Sequence, residues 1–585
     1  MRPLPLRLPA ILAALLALGL AADASAQVCS ATPDVCVVPA STADRASYLD
    51  AVINGDTTST GDRQNANRIY ELQRGAIYFL DSDIIVRGFD LRIRAQAGAG
   101  ARPILYGVAS EDGNSFPDPF FDQRGHIEIS DLVMVGYIES QPGGVANIPA
   151  GFFRTNEAGF DLTLDGVVMS GTRGQHIRTQ SANRNIRITN SLFANMGDLG
   201  RSNFGAGKAI DLRDGSVQNL FIQNTTFVNF QDRIIRHRAS TGNIENFVFD
   251  HNTMINGVSY HGTLALGAVG ASATITNNLW VDSFAAGSDS SDVVRQAEFD
   301  ESGEVFASNG QPLTTWILSE PNGTTNWRVS NNVWTTTAAV DAFYAAYGDG
   351  GGDDGYEENG TDGDNDIVGP GMPLTAHIRS RISNPDAAFV EMDVDLVDTP
   401  DVMIDMLEWY RTPQSAGGAG RTKETGNFDR ATDDFDRRPI EYFVQFPGDD
   451  GPEFDASYPT TSPAYTAGTN GCPVGDLNWF PGVDASACLV TAEQGGPELG
   501  RFALRSAPNP VTDRTSIRYT LDRQADVRLT VFDALGRSVA TLVDAAQPAG
   551  DYDADWTVGG VAPGLYIVRL QADGAVATHR VFVAR

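Results

Sequence analysis

LFIQNTTFVNF, residues 220–230, and FVFDHNTMING, residues 247–257, are two versions of one phrase: an apolar run of alternating polarity, a step of Asn and its polar neighbours, then a second apolar run. The phrase recurs as ATITNNLWVDS (273–283) and WRVSNNVWTTT (327–337) on one side, and as IRITNSLFANM (186–196), LTLDGVVMSG (162–171) and IEISDLVMVGY (127–137) on the other. Anchored at Asp131, Gly166, Ser191, Thr225, Asn252, Asn278 and Asn332, the steps are 35, 25, 34, 27, 26 and 54 residues, and the last reads as twice 27. The unit is therefore about 25 residues with occasional inserted loops, a period that belongs to solenoids. Such a unit has room for about three short strands and their turns. It shows no 3.6-residue apolar pattern, so a parallel β-solenoid is expected rather than a helical repeat or a leucine-rich horseshoe. Asn at a recurring turn fits this reading, because it tolerates the left-handed conformation and can bond to its copy on the next coil.

Composition sets wider limits. The 585 residues are 42% hydrophobic and 20% charged, enough for more than one core. Residues 1–26 read as a secretory signal peptide: Arg2 and Arg7, an apolar stretch from Leu8 to Ala22, then Ala24, Ser25 and Ala26. The mature chain is expected to begin near Gln27, and no later stretch is apolar for long enough to predict a membrane span. Four cysteines form two close pairs, Cys29 with Cys36 and Cys472 with Cys488, which suit local disulfides stapling the two ends of the solenoid. Four free thiols are the alternative, and no CxxC spacing points to a structural zinc site. The net charge of -32 disfavours nucleic acid and anionic lipid as partners.

Upstream, RGAIYFLDSDIIVRGFDLRIRAQAGAGARPILYG (74–107) supplies further short strands between Gly and Asp turns. With the stacked Asn coils it resembles the right-handed parallel β-helix of the pectate-lyase-like superfamily, over roughly Ala43 to Trp479. SPAYTAGTNGCPVGDLNWFPG (462–482) resembles the end of secreted β-helix proteins from polysaccharide-degrading bacteria. After a Gly-Gly-Pro linker, the tail reads as short alternating strands of a small antiparallel sandwich. Its phrases APNPVTDRTSIRY, VRLTVFDALGRSV, AGDYDADW and PGLYIVRL resemble the type A C-terminal sorting domain of the type IX secretion system. The matching positions are Asn509, Pro510, Phe532, Asp533, Gly536, Arg537, Trp556, Gly564, Leu565 and Tyr566. That resemblance implies export, followed by release or attachment at the outer-membrane cell surface, and the secretion machinery as a partner. The expected organisation is all-β: signal peptide 1–26, parallel β-helix 27–488, linker 489–500 and sorting domain 501–585.

Chemistry is expected on the solenoid, where outward side chains of successive coils stack about 4.8 Å apart. Three neighbouring segments, QHIRTQ from Gln175, GKAIDLRDGS from Gly207 and QDRIIRHRAS from Gln231, gather cations in an otherwise acidic chain. With Ile177, Ile210, Leu212 and Ile235 inward, His176, Arg178, Asp211, Arg213 and Arg236 are predicted to share an outward face, with Lys208, Arg233, His237 and Arg238 beside them. Such a patch suits an acidic polysaccharide. Cleaving a uronate by β-elimination requires neutralising its carboxylate, removing the C5 proton and protonating the leaving oxygen. Crowded cations can serve the first need and lower the pKa of a basic neighbour for the second.

These residues resemble polysaccharide lyase family six, the alginate lyase and chondroitinase B group, where a basic residue on one coil works with an Arg in an aliphatic-Arg-His phrase on the next. The resemblance implies catalytic roles for Arg236 and His237 of IIRH and for Arg213 in place of the family's Lys, with Lys208 as an alternative base. His176, Arg178, Arg233 and Arg238 would then bind substrate. Calcium is the one cofactor the resemblance brings in, but the family's calcium carboxylates are not evident, and Lys208 stands in that stretch.

Other readings stay open. The cations are alternatively solvated or paired with Asp211, Asp214 and Asp232, or form a non-catalytic glycan-binding or adhesive face. A polygalacturonase-like hydrolase needs clustered aspartates on neighbouring coils, and that signature is not seen. No HExxH or GxSxG phrase occurs. Trp280, Trp316, Trp327 and Trp334 are candidates for stacking on sugar rings or for the core. The run from Tyr347 to Gly369, with Asp362, Asp364 and Asp366, is reminiscent of a calcium loop without its downstream Glu, or is a solvated acidic loop. A monomer is expected.

Overall fold

The alternating runs fold into three parallel sheets that wind past one another as the walls of a β-helix. In one coil, Asn183–Thr189 lies in the first wall, Leu192–Met196 in the third and Lys208–Arg213 in the second, before Val217–Gln223 returns to the first. Among the described residues the walls have ten, seven and ten strands. They run from Val35–Val38 to Asn326–Ser330, from Ile84–Arg87 to Leu264–Ala265, and from Ile77–Leu80 to Phe389–Glu391. The computed structural model describes residues 28–29, 34–113, 115–136, 149–197, 207–213, 215–237, 242–259, 262–283, 325–347, 382, 384–411, 454–489 and, with short gaps, 504–584.

The register corrects the repeat in two places. Leu279 pairs directly with Val333, so the step of 54 residues is one coil carrying a long insertion. The corner between the first and third walls also holds two polar columns rather than one. Asp131, Asn190, Asn224, His251, Asn277 and Asn331 have positive φ and occupy the outer column, where Gly166 substitutes on one coil. Ser191, Thr225, Asn252, Asn278 and Asn332 follow them, buried, in the inner column. The anchors Asp131 and Gly166 therefore belong to a different column from the other five.

Both columns are hydrogen-bonded ladders. In the outer one Asn224 Nδ2 donates to Asn190 Oδ1 (2.7 Å) and Asn190 Nδ2 to Asp165 Oδ1 (2.7 Å). In the inner one Asn252 Nδ2 donates to Asn278 Oδ1 (3.1 Å) and Asn278 Nδ2 to Asn332 Oδ1 (2.9 Å). A third ladder, Asn256 to Asn229 to Asn195, turns the other end of the third wall at 3.0 Å per step. Each bond contributes roughly 1 kcal/mol net, and an unpaired buried amide would cost more.

Aromatic rings fill the interior as a stack. Phe120, Phe152, His176, Phe193, Phe227, Phe249, Trp280 and Phe389 follow one another with centroids 5.0 to 6.3 Å apart. Trp280 is thus a core residue, and Trp334 is also buried, which removes both from the sugar-stacking candidates. Trp316 lies outside the described residues, as does nearly all of the acidic run after Tyr347.

At the N-terminal end the helix Leu49–Gly55 packs Leu49, Val52 and Ile53 against the first strands of the second and third walls. Residues 454–489 form a strap on the outer face of the third wall. Phe454, Tyr458, Trp479 and Phe480 join Val168, Leu192, Leu279 and Val333 in one apolar cluster. Asp476 is pinned there, its Oδ2 accepting from Thr226 Oγ1 (2.8 Å), while Trp479 Nε1 donates to the same hydroxyl (2.8 Å). Both disulfides are formed. Cys29–Cys36 ties the N-terminal segment to the first strand, but Cys472–Cys488 closes a loop within the strap and so staples a side of the coil rather than its end.

The C-terminal unit is built separately from a three-stranded and a four-stranded antiparallel sheet. Trp556 packs edge-on against Tyr566, whose hydroxyl donates to Ala562 O (2.7 Å). Arg537 grips Asp533 (2.7 Å), and Asn509 Oδ1 accepts from Phe582 N (2.8 Å). Pro510 and Gly536 lie outside the described residues. Among the described residues no helix is long and apolar enough to cross a membrane.

Candidate functional site

The second wall separates itself from the others by charge. Its described strands hold Arg87, Arg124, Arg154, Arg178, Lys208, Arg213 and Arg236 against Asp122 and Asp211, a balance of +5 in a chain of net charge -32. The first wall opposes Arg92, Arg94, Arg184, Arg187 and Arg328 to six carboxylates. The described strands of the third wall hold Glu391 alone, as expected for a surface covered by an apolar strap.

A short sequence phrase builds this wall: two consecutive inward residues and then an outward charge. It reads PFFD at 119–122, GFFR at 151–154, QHIR at 175–178, KAID at 208–211 and RIIR at 233–236. The pair straddles the corner, where the chain bends and both side chains reach the interior: Phe120 with Phe121, Phe152 with Phe153, His176 with Ile177, Ala209 with Ile210 and Ile234 with Ile235 are all buried. The following position stacks in register as Asp122, Arg154, Arg178, Asp211 and Arg236, one per coil. Arg154, which sequence reasoning missed, sits in this column beside Arg178; the shared phrase is the signal that identifies it.

His176 accordingly does not face outward. It is fully buried, with Nδ1 2.9 Å from Thr172 Oγ1 and Nε2 3.1 Å from Ala194 O, and burial pushes its pKa down to about 3. It is a neutral member of the aromatic stack, not a substrate ligand.

Arg178 keeps its outward place, half-buried, and its enclosed Nε has no hydrogen-bond acceptor among the described residues. Arg236 is in the same column, 3.5 Å from Asp211 Oδ2, with its side chain 11% exposed. Arg213 is displaced from it by a bulge: its φ is 54°, its N–H donates to Asp211 Oδ1 (3.1 Å), and it pairs in register with His237. His237 is buried with Nδ1 3.0 Å from Leu266 O. Arg238 lies outside the described residues, as does Asp214.

Lys208 and Arg233 are in the wall but enclosed. Lys208 Nζ is 2.8 Å from Asp232 Oδ2 and Arg233 Nε is 3.1 Å from the same oxygen, with all three side chains no more than 3% exposed. Burial lowers the Lys208 pKa, aided by Arg233 and Arg236, while Asp232 and Asp211 oppose the shift. The three cations at the centre of the expected stripe therefore share one wall, but Lys208 and Arg236 are each held by a carboxylate.

The residues present do not suit calcium. A buried ammonium occupies the stretch in which the resemblance would place the metal's carboxylates, and no group of three or more His, Cys, Asp or Glu is placed to hold an ion among the described residues.

Residues 507–584 match the family model of the secretion system C-terminal sorting domain. No curated protein matches the chain. The sorting domain, of the type IX system, makes the protein a secreted or cell-surface β-helix protein and the secretion machinery its partner.

Proposed function

We propose that this exported β-helix holds an acidic, uronate-containing polysaccharide on its arginine-rich second wall without cutting it. The observation that carries this reading is the partition of charge: +5 in the strands of one wall against -32 for the chain. Arg154, whose guanidinium lies 3.9 Å from Asp118, and Arg178, adjacent in register, offer planar forks that donate to carboxylates at the spacing of successive coils. The acidic remainder would repel a polyanion, so the wall also sets where one lands.

Cleavage is the second reading. It is favoured by the Ile-Ile-Arg-His phrase and by the lowered pKa of Lys208, which suits a base for the C5 proton. Against it stand the ion pairs: Lys208 is spoken for by Asp232 and Arg236 by Asp211, and Arg213 is a poor base. Incubating the purified protein with alginate, pectate and glycosaminoglycans separates the two. Binding predicts retention on polysaccharide gels with no ultraviolet absorbance from unsaturated ends. Appearance of that absorbance, and its loss in Lys208→Ala, would replace the binding reading with the lyase.

A further inference from the structure

Of the 42 basic residues in the chain, only Lys208 and Lys423 are lysine. Lys208 is nevertheless enclosed, together with Arg233, against Asp232 between two successive coils of the second wall. For a buried ion pair arginine is the better residue, because its guanidinium is weakly hydrated and grips a carboxylate with two N–H groups. Lysine differs in one chemical respect: its nitrogen can shed a proton and attack a carbonyl carbon. A chain that uses arginine almost everywhere carries lysine where the nitrogen lies 2.8 Å from a carboxylate oxygen and both groups are buried.

We propose that Lys208 and Asp232 condense to an isopeptide bond, an amide that stitches one coil covalently to the next. Lys208 Nζ bonds to Asp232 Cγ, one carboxylate C–O bond breaks, and two of the three ammonium protons leave with that oxygen as water. The third proton stays on the amide nitrogen, so atoms and charge balance without any oxidant or co-reactant. Arg233 Nε, 3.1 Å from Oδ2, polarises the carbonyl and stabilises the oxyanion of the tetrahedral intermediate. The proton the amine sheds passes within the ion pair to the departing carboxylate oxygen of Asp232. Burial that lowers the Lys208 pKa supplies the neutral amine the attack requires. Condensation also removes two desolvated charges and leaves a neutral amide in their place.

Tryptic peptides of the purified, denatured and disulfide-reduced chain decide the matter. The bond joins residues 202–213, uncut after Lys208, to residues 214–233, with a mass one water below the sum of the two. Asp232→Asn should yield the same product by loss of ammonia, and Asp232→Ala should release separate peptides cut after Lys208. Recovery of linear 202–208 and 209–213 from the wild-type protein, with nothing joined to 214–233, would overturn the proposal whether or not the variants fold.

Discussion

Asp476 and His176 are both sealed inside the molecule, and burial moves them in opposite directions. The Asp476 carboxyl is pushed up to about 7 by desolvation, despite hydrogen bonds from Asn478 and Thr226 that favour its charge. Its folded pKa exceeds the unfolded value of about 3.9, so the folded state binds the extra proton between those limits. Stability from this group is present at low pH and lost as pH rises from about 4 to about 7. Asp476→Asn should remove that loss, so that urea unfolding finds the variant gaining on the wild type at pH 8 relative to pH 5. An unchanged difference between the two pH values would mean the carboxyl is hydrated. His176 has the reverse sign: a base depressed to about 3 favours unfolding as pH falls below its unfolded value of about 6.5. His176→Phe keeps the ring stack and should flatten the acid limb of a stability profile taken from pH 7 to pH 4. Loss of the fold at pH 7 instead would show that the bonds to Thr172 and Ala194 outweigh the stack.

Strands and corners were legible to different degrees. Alternation within LTLD or IRIT follows the two-residue period of a strand and gave the correct inward set. The period fails at corners, where His176 and Ile177 are both inward, and this misplaced the histidine. The Asn corner was misread by one residue because adjacent columns both accept Asn, one for its left-handed backbone and the other for its buried amide. Pairing of the cations with Asp232 was among the open readings, but the enclosure of Lys208 had no local signal, since Asp232 is 24 residues away in the next coil. The strap was visible only as a phrase; its contacts with the third wall depend on pairings more than 200 residues apart, such as Trp479 with Thr226. Trp479→Ala removes a buried indole and its bond to the Thr226 hydroxyl. It should cost about 3–5 kcal/mol of strap stability and open the apolar third wall to a hydrophobic dye. Wild-type dye binding and an unchanged denaturation midpoint in that variant would place the strap outside the cooperative unit.

For the whole molecule, the proposed function joins the sorting domain to the charge pattern. Export puts the coil outside the cell, and among the described strands the second wall alone carries a clear cationic excess, on which the proposed binding of an acidic polysaccharide rests. An interaction of that kind weakens with salt, because contacts of partly exposed guanidinium groups are screened within about 10 Å at 0.1 M ionic strength. The most direct measurement is retention on gels of alginate, pectate and glycosaminoglycan at low and raised salt, comparing the wild type with Arg154→Glu/Arg178→Glu. Retention of the wild type on at least one gel, its decline with salt and its loss in the double variant are the predicted result. Equal retention of the two proteins, or none of the wild type on any gel, would contradict the account.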